Sequence, residues 1–311
     1  MKIAIAGAGA MGGRFGAMLY RSGEREVVFI DRWAEQVKAI NERGLTVTEN
    51  GQSIVYPIPA FFPEQVTTSF DLIILFTKAM QMDEMLQSIQ HVVDDSTFVL
   101  VLSNGIGNIE TIEKYVPAGR IIAGVTIWSS ELDGPGRMTL TGNGSVTMQA
   151  VTPTADSGEI LQRIIVEMNR AGLNASAADD VIDVIWKKAA LNSVLNTLTA
   201  LLHCDIEAFG RTRSAHRLTK AVLDEFTAVA KRCGIHFDEN EAIHWIEQQF
   251  DPAANGRHHP SMYQDLEKHR PTEVDYLNGY IVREGQRFGI PTPVNAVLTD
   301  LIHAREDLNA G

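Results

Sequence analysis

The sequence predicts an α/β protein: a doubly wound parallel sheet in the N-terminal part, followed by an all-helical C-terminal domain. Three observations carry that expectation. Short apolar runs alternate with helical patterns from the first residues to about residue 178, as they do where parallel strands are joined by helical crossovers. A glycine triplet occupies the first strand-to-helix turn. From Asp179 onward the strand signals stop and helical periodicity takes over, so the expected domains are 1–178 and 179–311.

The elements follow in order. Lys2-Ile3-Ala4-Ile5-Ala6 is an apolar run of strand length. It breaks at Gly7-Ala8-Gly9-Ala10-Met11-Gly12 and resumes as a helix through Phe15, Met18 and Leu19. Glycines and Arg14 interrupt this stretch and no small-residue cleavage site follows, so it does not read as a secretion signal. A second strand, Val27 to Ile30, ends on Asp31, and Ala34 to Arg43 reads as a helix closed by Gly44. Asn50-Gly51 between Leu45–Thr48 and Ser53–Tyr56 signals a hairpin. Asp71–Phe76 and Thr97–Leu102 are buried strands, with a helix from Met80 to Gln90 between them; Arg120–Ile127 continues the alternation. A Gly-rich alternating stretch, Gly134 to Thr147, reads as a further hairpin, and Leu173-Asn174-Ala175 as one last strand. Helices are expected over 181–202, 213–231, 240–250 and 276–287.

The glycine turn carries chemistry. G-x-G-x-x-G between strand and helix, with an acid about 20 positions on, is the dinucleotide fingerprint of a Rossmann domain. Gly7 allows the tight turn, Gly9 lets a pyrophosphate approach the backbone, and Gly12 lets the helix pack on the strand. Ala10 and Met11 open that helix, whose N-terminal N–H groups favour phosphate. Asp31 would accept hydrogen bonds from the adenosine ribose and repel a 2′-phosphate, which favours NAD (NADH) over NADPH; Arg32 beside it works partly the other way. Ligands of such sheets sit beyond the carboxyl ends of the strands, where Lys78 and Asn104 fall.

In the second half, Lys188, Asn192 and Asn196 fall at i, i+4 and i+8 on a helix otherwise built from Ala, Leu and Val. A solvated face would carry Glu, Lys and Arg; amides are better suited to directed hydrogen bonds, and the stripe reads as the lining of a cleft. Thr272 could cap a helix with Glu273 and Asp275 in its first turn. His258 and His259 lack a third ligand at metal spacing, so no metal is expected. The net charge of −12 argues against nucleic acid and anionic membranes as partners. No stretch approaches the roughly 18 apolar residues that span a bilayer. Cys204 and Cys233 make no disulfide framework, which suits a reducing cytoplasm.

Over nearly its whole length the chain resembles the ketopantoate reductase family. The resemblance is carried by the glycine turn, Thr77-Lys78-Ala79-Met80-Gln81 and Asn104-Gly105-Ile106-Gly107. It continues through Trp186-Lys187-Lys188 with Asn192 and Asn196, Ser261-Met262-Tyr263-Gln264-Asp265, and Thr272-Glu273-Val274-Asp275-Tyr276-Leu277-Asn278-Gly279. It implies a Rossmann domain and a helical domain with the active site in the cleft between them. Lys188 would be the general acid, Glu273 the active-site glutamate, and Asn104, Asn192, Asn196 and Ser261 the substrate-binding residues. Lys78 would lie near the nicotinamide half of the cofactor, and many members are homodimers. The implied reaction reduces a small 2-oxo acid to the D-2-hydroxy acid. Two departures stand out: Asp31 replaces a basic residue, and Ile206 falls around an asparagine that reaches the substrate. Both resemble the NAD-dependent D-2-hydroxyacid dehydrogenases of the family, which act on 2-oxo acids branched or aromatic at C3, such as benzoylformate to D-mandelate. A ketopantoate reductase of pantothenate synthesis is the alternative. A non-catalytic dinucleotide-binding regulator is disfavoured, since a binding module needs no proton donor.

Overall fold

A computed structural model describes residues 1–310. The chain forms two compact units: Met1–Ser103 with Asn108–Val181, and Asn104–Gly107 with the chain from Ile182 onward. The short segment 104–107 therefore belongs with the helical unit, although its position in the sequence places it among the strands.

The first unit holds strands β1 (Ile3–Ala6), β2 (Val27–Ile30), β3 (Leu45–Glu49), β4 (Gln52–Tyr56), β5 (Ala60–Phe61), β6 (Leu72–Leu75), β7 (Phe98–Val101), β8 (Ile121–Thr126), β9 (Ser129–Gly134), β10 (Arg137–Thr141), β11 (Val146–Ala150) and β12 (Ala175–Ala177). Its helices are α1 (Ala10–Arg21), α2 (Ala34–Arg43), α3 (Met82–Ile89), α4 (Asn108–Ile112) and α5 (Ala155–Arg170). The large sheet runs β12-β11-β8-β7-β6-β1-β2-β5. It is parallel except where β11 lies antiparallel to β8 and takes β12 with it. The central strands are apolar on both faces, as strands covered on both sides by helices must be. Ile3, Ile5, Phe29, Ile74 and Leu100 join Phe15, Met18, Ile164 and Met168 in the main core, and Ala4, Ile73 and Val99 on the alternate positions are also fully buried.

The hairpin signalled by Asn50-Gly51 is present as β3 and β4, but in a second sheet of order β4-β3-β10-β9. The expected hairpin over 134–147 is corrected. It spans 129–141, because Gly134 and Gly136, at φ +146° and +68°, form its turn rather than its start. The following strand, β11, leaves for the large sheet. The last strand starts at Ala175, since Asn174 turns through φ +53°. The helix expected over 80–90 is shortened to α3 by 3-10 turns at Ala79–Gln81 and Gln90–Val92.

Arg14 ties the small sheet to α1. It is 2% exposed, and its Nη2 donates to the carbonyls of Ser129 at 2.8 Å and Thr141 at 2.7 Å. Its guanidinium also sits 4.4 Å from the Trp128 ring centre. Burial lowers its pKa to about 10, which leaves it charged at neutral pH.

The second unit is helical: α6 (Val181–Leu202), α7 (Ile206–Gly210), α8 (Ala215–Arg232), α9 (Glu239–Gln248), α10 (Ser261–Glu267), α11 (Asn278–Phe288) and α12 (Pro293–Ala310). The bounds of α6 match the periodicity. Its first N–H donates to Gln149 Oε1 at 3.0 Å, and it stops at His203, whose φ of +54° is a left-handed cap. The serine segment, expected between helices, is itself α10. Thr272 does not open a long helix. Val274–Tyr276 is a 3-10 turn, Thr272 Oγ1 accepts from the Val274 N–H at 3.3 Å, and α11 begins only at Asn278. Trp186, Phe209, Phe226, Ile246, Leu277 and Ile281 centre the core.

Arg14→Met should lower the unfolding free energy by about 2–3 kcal/mol, because two carbonyls lose a charged donor in a buried setting. Urea denaturation checks this.

Candidate active site

In the first unit the sheet reverses direction of growth at β1, which pairs with β2 on one side and β6 on the other. The crevice beyond the ends of β1 and β6 is where such a sheet takes a ligand. Gly7 has φ +102°, and a Cβ there would lie 2.7 Å from both Phe76 C and Thr77 N, so only glycine lets the chain leave β1 against the end of β6. A Cβ at Gly12 would run into the carbonyl oxygen of Gly7. Gly9 differs: nothing lies within 4 Å of the position its Cβ would take. Its bareness serves no packing of the protein, and it leaves the start of α1 open. Gly9 is the N-cap of α1 without a side-chain cap. The N–H groups of the first turn, including Ala10 and Met11, therefore point at whatever lies beyond, with the positive end of the helix dipole behind them. A dinucleotide pyrophosphate fits that cradle.

Asp31 ends β2 beside this turn. Its Oδ2 accepts from the Ala8 N–H at 2.5 Å and its Oδ1 from the Trp33 N–H at 2.8 Å. A carboxylate has about four acceptor sites, so ribose hydroxyls can still be bound. Arg32, a possible phosphate partner, is drawn to Glu84 at 2.5 Å. Lys78, half-buried, stands at the end of β6 just before the 3-10 turn that leads into α3.

The periodicity does not reveal two residues that hold this loop. Gln36 is fully buried, donates from Nε2 to Ala8 O at 2.5 Å and accepts from the Gly136 N–H at 2.8 Å. Ser130 Oγ donates to Ala10 O at 2.7 Å. The only trace of Gln36 in the sequence is an amide among the apolar positions of α2.

In the second unit, α6 presents the polar stripe. Asn192 and Asn196 are 7% and 6% exposed, and Asn196 Nδ2 donates to Ser261 Oγ at 3.3 Å. Lys188, two turns earlier, is coupled to Glu273, which in turn accepts from Asn104 Nδ2 at 3.3 Å. Desolvation lowers the Lys188 pKa to about 8, and the negative charge of Glu273 works against that fall. The structure thus gathers Lys188, Glu273 and Asn104 into one cluster and Asn196 with Ser261 into another, both along α6. Gly105, at φ +91°, permits the first: a Cβ there would lie 2.6 Å from the Cβ of Tyr276. Ile206 is 3% exposed and belongs to the apolar core of this unit. Among the described residues no group of His, Cys, Asp and Glu could hold a metal. His259 lies against Tyr263, with ring centres 4.4 Å apart and the planes tilted by 37°.

Comparison with known proteins follows this division. Residues 3–153 match the model of the family Ketopantoate reductase PanE/ApbA, and residues 180–306 match the model of its C-terminal part. The chain belongs to the ketopantoate reductase family. It is an oxidoreductase with the α/β-plus-helical architecture of that family. The 2-dehydropantoate 2-reductase of Lactococcus lactis subsp. lactis is 42% identical over 311 residues, covering 99% of each chain. That of Streptococcus pyogenes is 38% identical over 308 residues, covering 98% of each. A ternary structure of D-mandelate dehydrogenase with NADH and anilino(oxo)acetate superposes with a TM-score of 0.96 at 44% identity, covering 100% of both chains.

Gly9→Ala should leave the unfolding free energy within about 1 kcal/mol of the parent while weakening NADH binding on the order of tenfold. Fluorescence titration with NADH, beside thermal melting, separates the two effects.

Proposed function

We propose that this ketopantoate reductase relative is an NADH-dependent D-2-hydroxyacid dehydrogenase acting on 2-oxo acids branched or aromatic at C3. The observation that carries this is Asp31, a carboxylate at the ribose end of the dinucleotide loop where a 2′-phosphate would be repelled. The likeness to a D-mandelate dehydrogenase, whose structure contains NADH, supports the same reading. Gly7, Gly9, Ala10, Met11, Gly12 and Asp31 would hold the adenine half and the pyrophosphate of the cofactor, and Lys78, Asn104 and Glu273 are the residues we assign to its nicotinamide half. A bound reduced nicotinamide supplies the hydride.

The residues of this chain then do the rest. As hydride reaches the carbonyl carbon, negative charge grows on the carbonyl oxygen. Lys188, as an ammonium, neutralises that charge and gives up a proton to the oxygen. Its lowered pKa makes it a stronger acid than an ordinary lysine, and Glu273 keeps it charged until the oxygen needs the proton. Asn104 holds Glu273 in place. Asn192, Asn196 and Ser261 fix the carboxylate and present one carbonyl face, so that the D product forms.

Reduction of ketopantoate remains the second reading, favoured by the names of the curated relatives. Initial rates with NADH and NADPH against benzoylformate, 2-oxoisovalerate and ketopantoate decide between them: preference for ketopantoate would overturn the first. The domains we assign are 1–178 for the dinucleotide and 179–311 for the substrate. A homodimer fits this reading, and exposed Val297 and Leu301 on α12 offer apolar surface to a second copy. A reducing cytoplasm, where Cys204 and Cys233 stay thiols, is the compartment it implies.

Four outcomes are expected. Lys188→Ala should lower kcat for reduction by about 10²–10⁴; an unchanged rate removes the mechanism. The protonated lysine is present below pH about 8 and lost above it, so kcat/KM for 2-oxo acid reduction should fall above that pH and that for hydroxy acid oxidation should rise. Glu273→Gln, which deletes the charge that raises the lysine pKa, should move this break to lower pH. Asp31→Arg should shift preference toward NADPH, read as the ratio of kcat/KM for the two cofactors.

A further inference from the structure

Lys188 and Glu273 stand on different elements. Lys188 is on α6, whereas Glu273 lies on the loop before α11, and α6, whose Trp186, Val194 and Leu198 pack in the core, must be held at one rotation about its axis for the two to meet. Rotation matters: one residue of helix is a turn of about 100°, enough to take Lys188 and Asn192 away from their partners together.

A buried amide between the two elements fixes that rotation. Asn278, the first residue of α11, is 0% exposed. Its Oδ1 accepts from Thr197 Oγ1 at 2.7 Å, and its Nδ2 donates to Ser193 O at 3.2 Å and to Asn295 Oδ1 at 2.9 Å. Ser193 and Thr197 are one residue past Asn192 and Asn196, so the pair that Asn278 grips sets where the stripe points. Asn278 also closes the short segment that begins at Glu273. Behind it, Asn295 Nδ2 donates to Glu225 Oε2 at 2.7 Å, and that carboxylate accepts from the Val294 and Asn295 N–H groups at 2.8 and 2.9 Å. The amide is therefore anchored to the N-terminus of α12 as well as to α6. In such a buried network each member is costly to leave unpaired, so the arrangement has one setting.

We propose that Asn278 is a positioning residue: through Thr197 and Ser193 it fixes the rotation of α6 so that Lys188 meets Glu273. It touches neither substrate nor cofactor. The inference rests on the catalytic reading of Lys188, but its geometry can be tested without turnover. The other charged side chains near Lys188 on α6 are engaged elsewhere, Lys187 with Glu241 at 2.7 Å and Asp183 with His236 at 3.8 Å, so Glu273 is the partner whose distance the lysine pKa reports.

The experiment titrates Lys188 by NMR in the ¹³C-dimethylated protein, with Lys188→Arg assigning the signal. It compares the parent, Asn278→Ala, and the milder pair Thr197→Val and Thr197→Ser. The valine removes only the hydroxyl that Asn278 accepts from; the serine keeps it. Asn278→Ala and Thr197→Val should titrate at lower pH than the parent, with kcat down on the order of tenfold and NADH affinity unchanged, while Thr197→Ser should behave as the parent. If Asn278→Ala does not fold, the two Thr197 variants decide alone. Equal or higher lysine pKa values in Thr197→Val, with only melting lowered, would overturn the proposal. A shifted titration with no change in rate would instead count against the catalytic role of Lys188 and leave the positioning intact.

Discussion

The second unit is organised around a half-buried lysine ammonium that has lost part of its solvation. A buried cation loses solvation and tends to shed its proton, and only a nearby anion of fixed position keeps it useful at neutral pH. Lys188 meets that condition through Glu273, and the fall of its pKa to about 8 is the balance of the two effects. Much of the surrounding architecture answers to this pair. Asn104 holds the glutamate, Gly105 lets its segment lie against Tyr276, and the amide chain from Glu225 to Thr197 sets the helix that carries the lysine.

The first unit answers to a different constraint, that of leaving a phosphate-sized space at the start of a helix. Gly7 and Gly12 are forced by packing against Phe76, Thr77 and each other, whereas Gly9 is forced by nothing in the protein. The loop is then held from behind by Gln36 and Ser130, and α1 by Arg14. The small second sheet, which adds no strand to the large one, supplies three of those holds: Ser129 and Thr141 to Arg14, and Ser130 to the loop.

Much of this was legible in the sequence, for identifiable reasons. Buried parallel strands are continuous apolar runs, and α6 is long enough that its period shows, so both were readable. The lysine–asparagine stripe showed because amides stand out on an apolar helix. The hairpin at 129–141 was misplaced because glycine marks turns and strand ends alike, and only backbone geometry tells them apart. Helix α10 is seven residues long, too short for a periodic signal. Gln36, Asn278 and Asn295 were invisible as functional residues because their roles come from partners remote in sequence, as with Asn278 and Ser193.

The placement of residues 104–107 bears on how the polypeptide reaches its native state. This segment is emitted early in synthesis, flanked on both sides by strand-bearing chain, yet its packing partners Tyr276 and Tyr280 come some 170 residues later. The helical unit is thus not contiguous in sequence: translated alone from residue 182, it would lack the tetrapeptide that packs against Tyr276 and Tyr280.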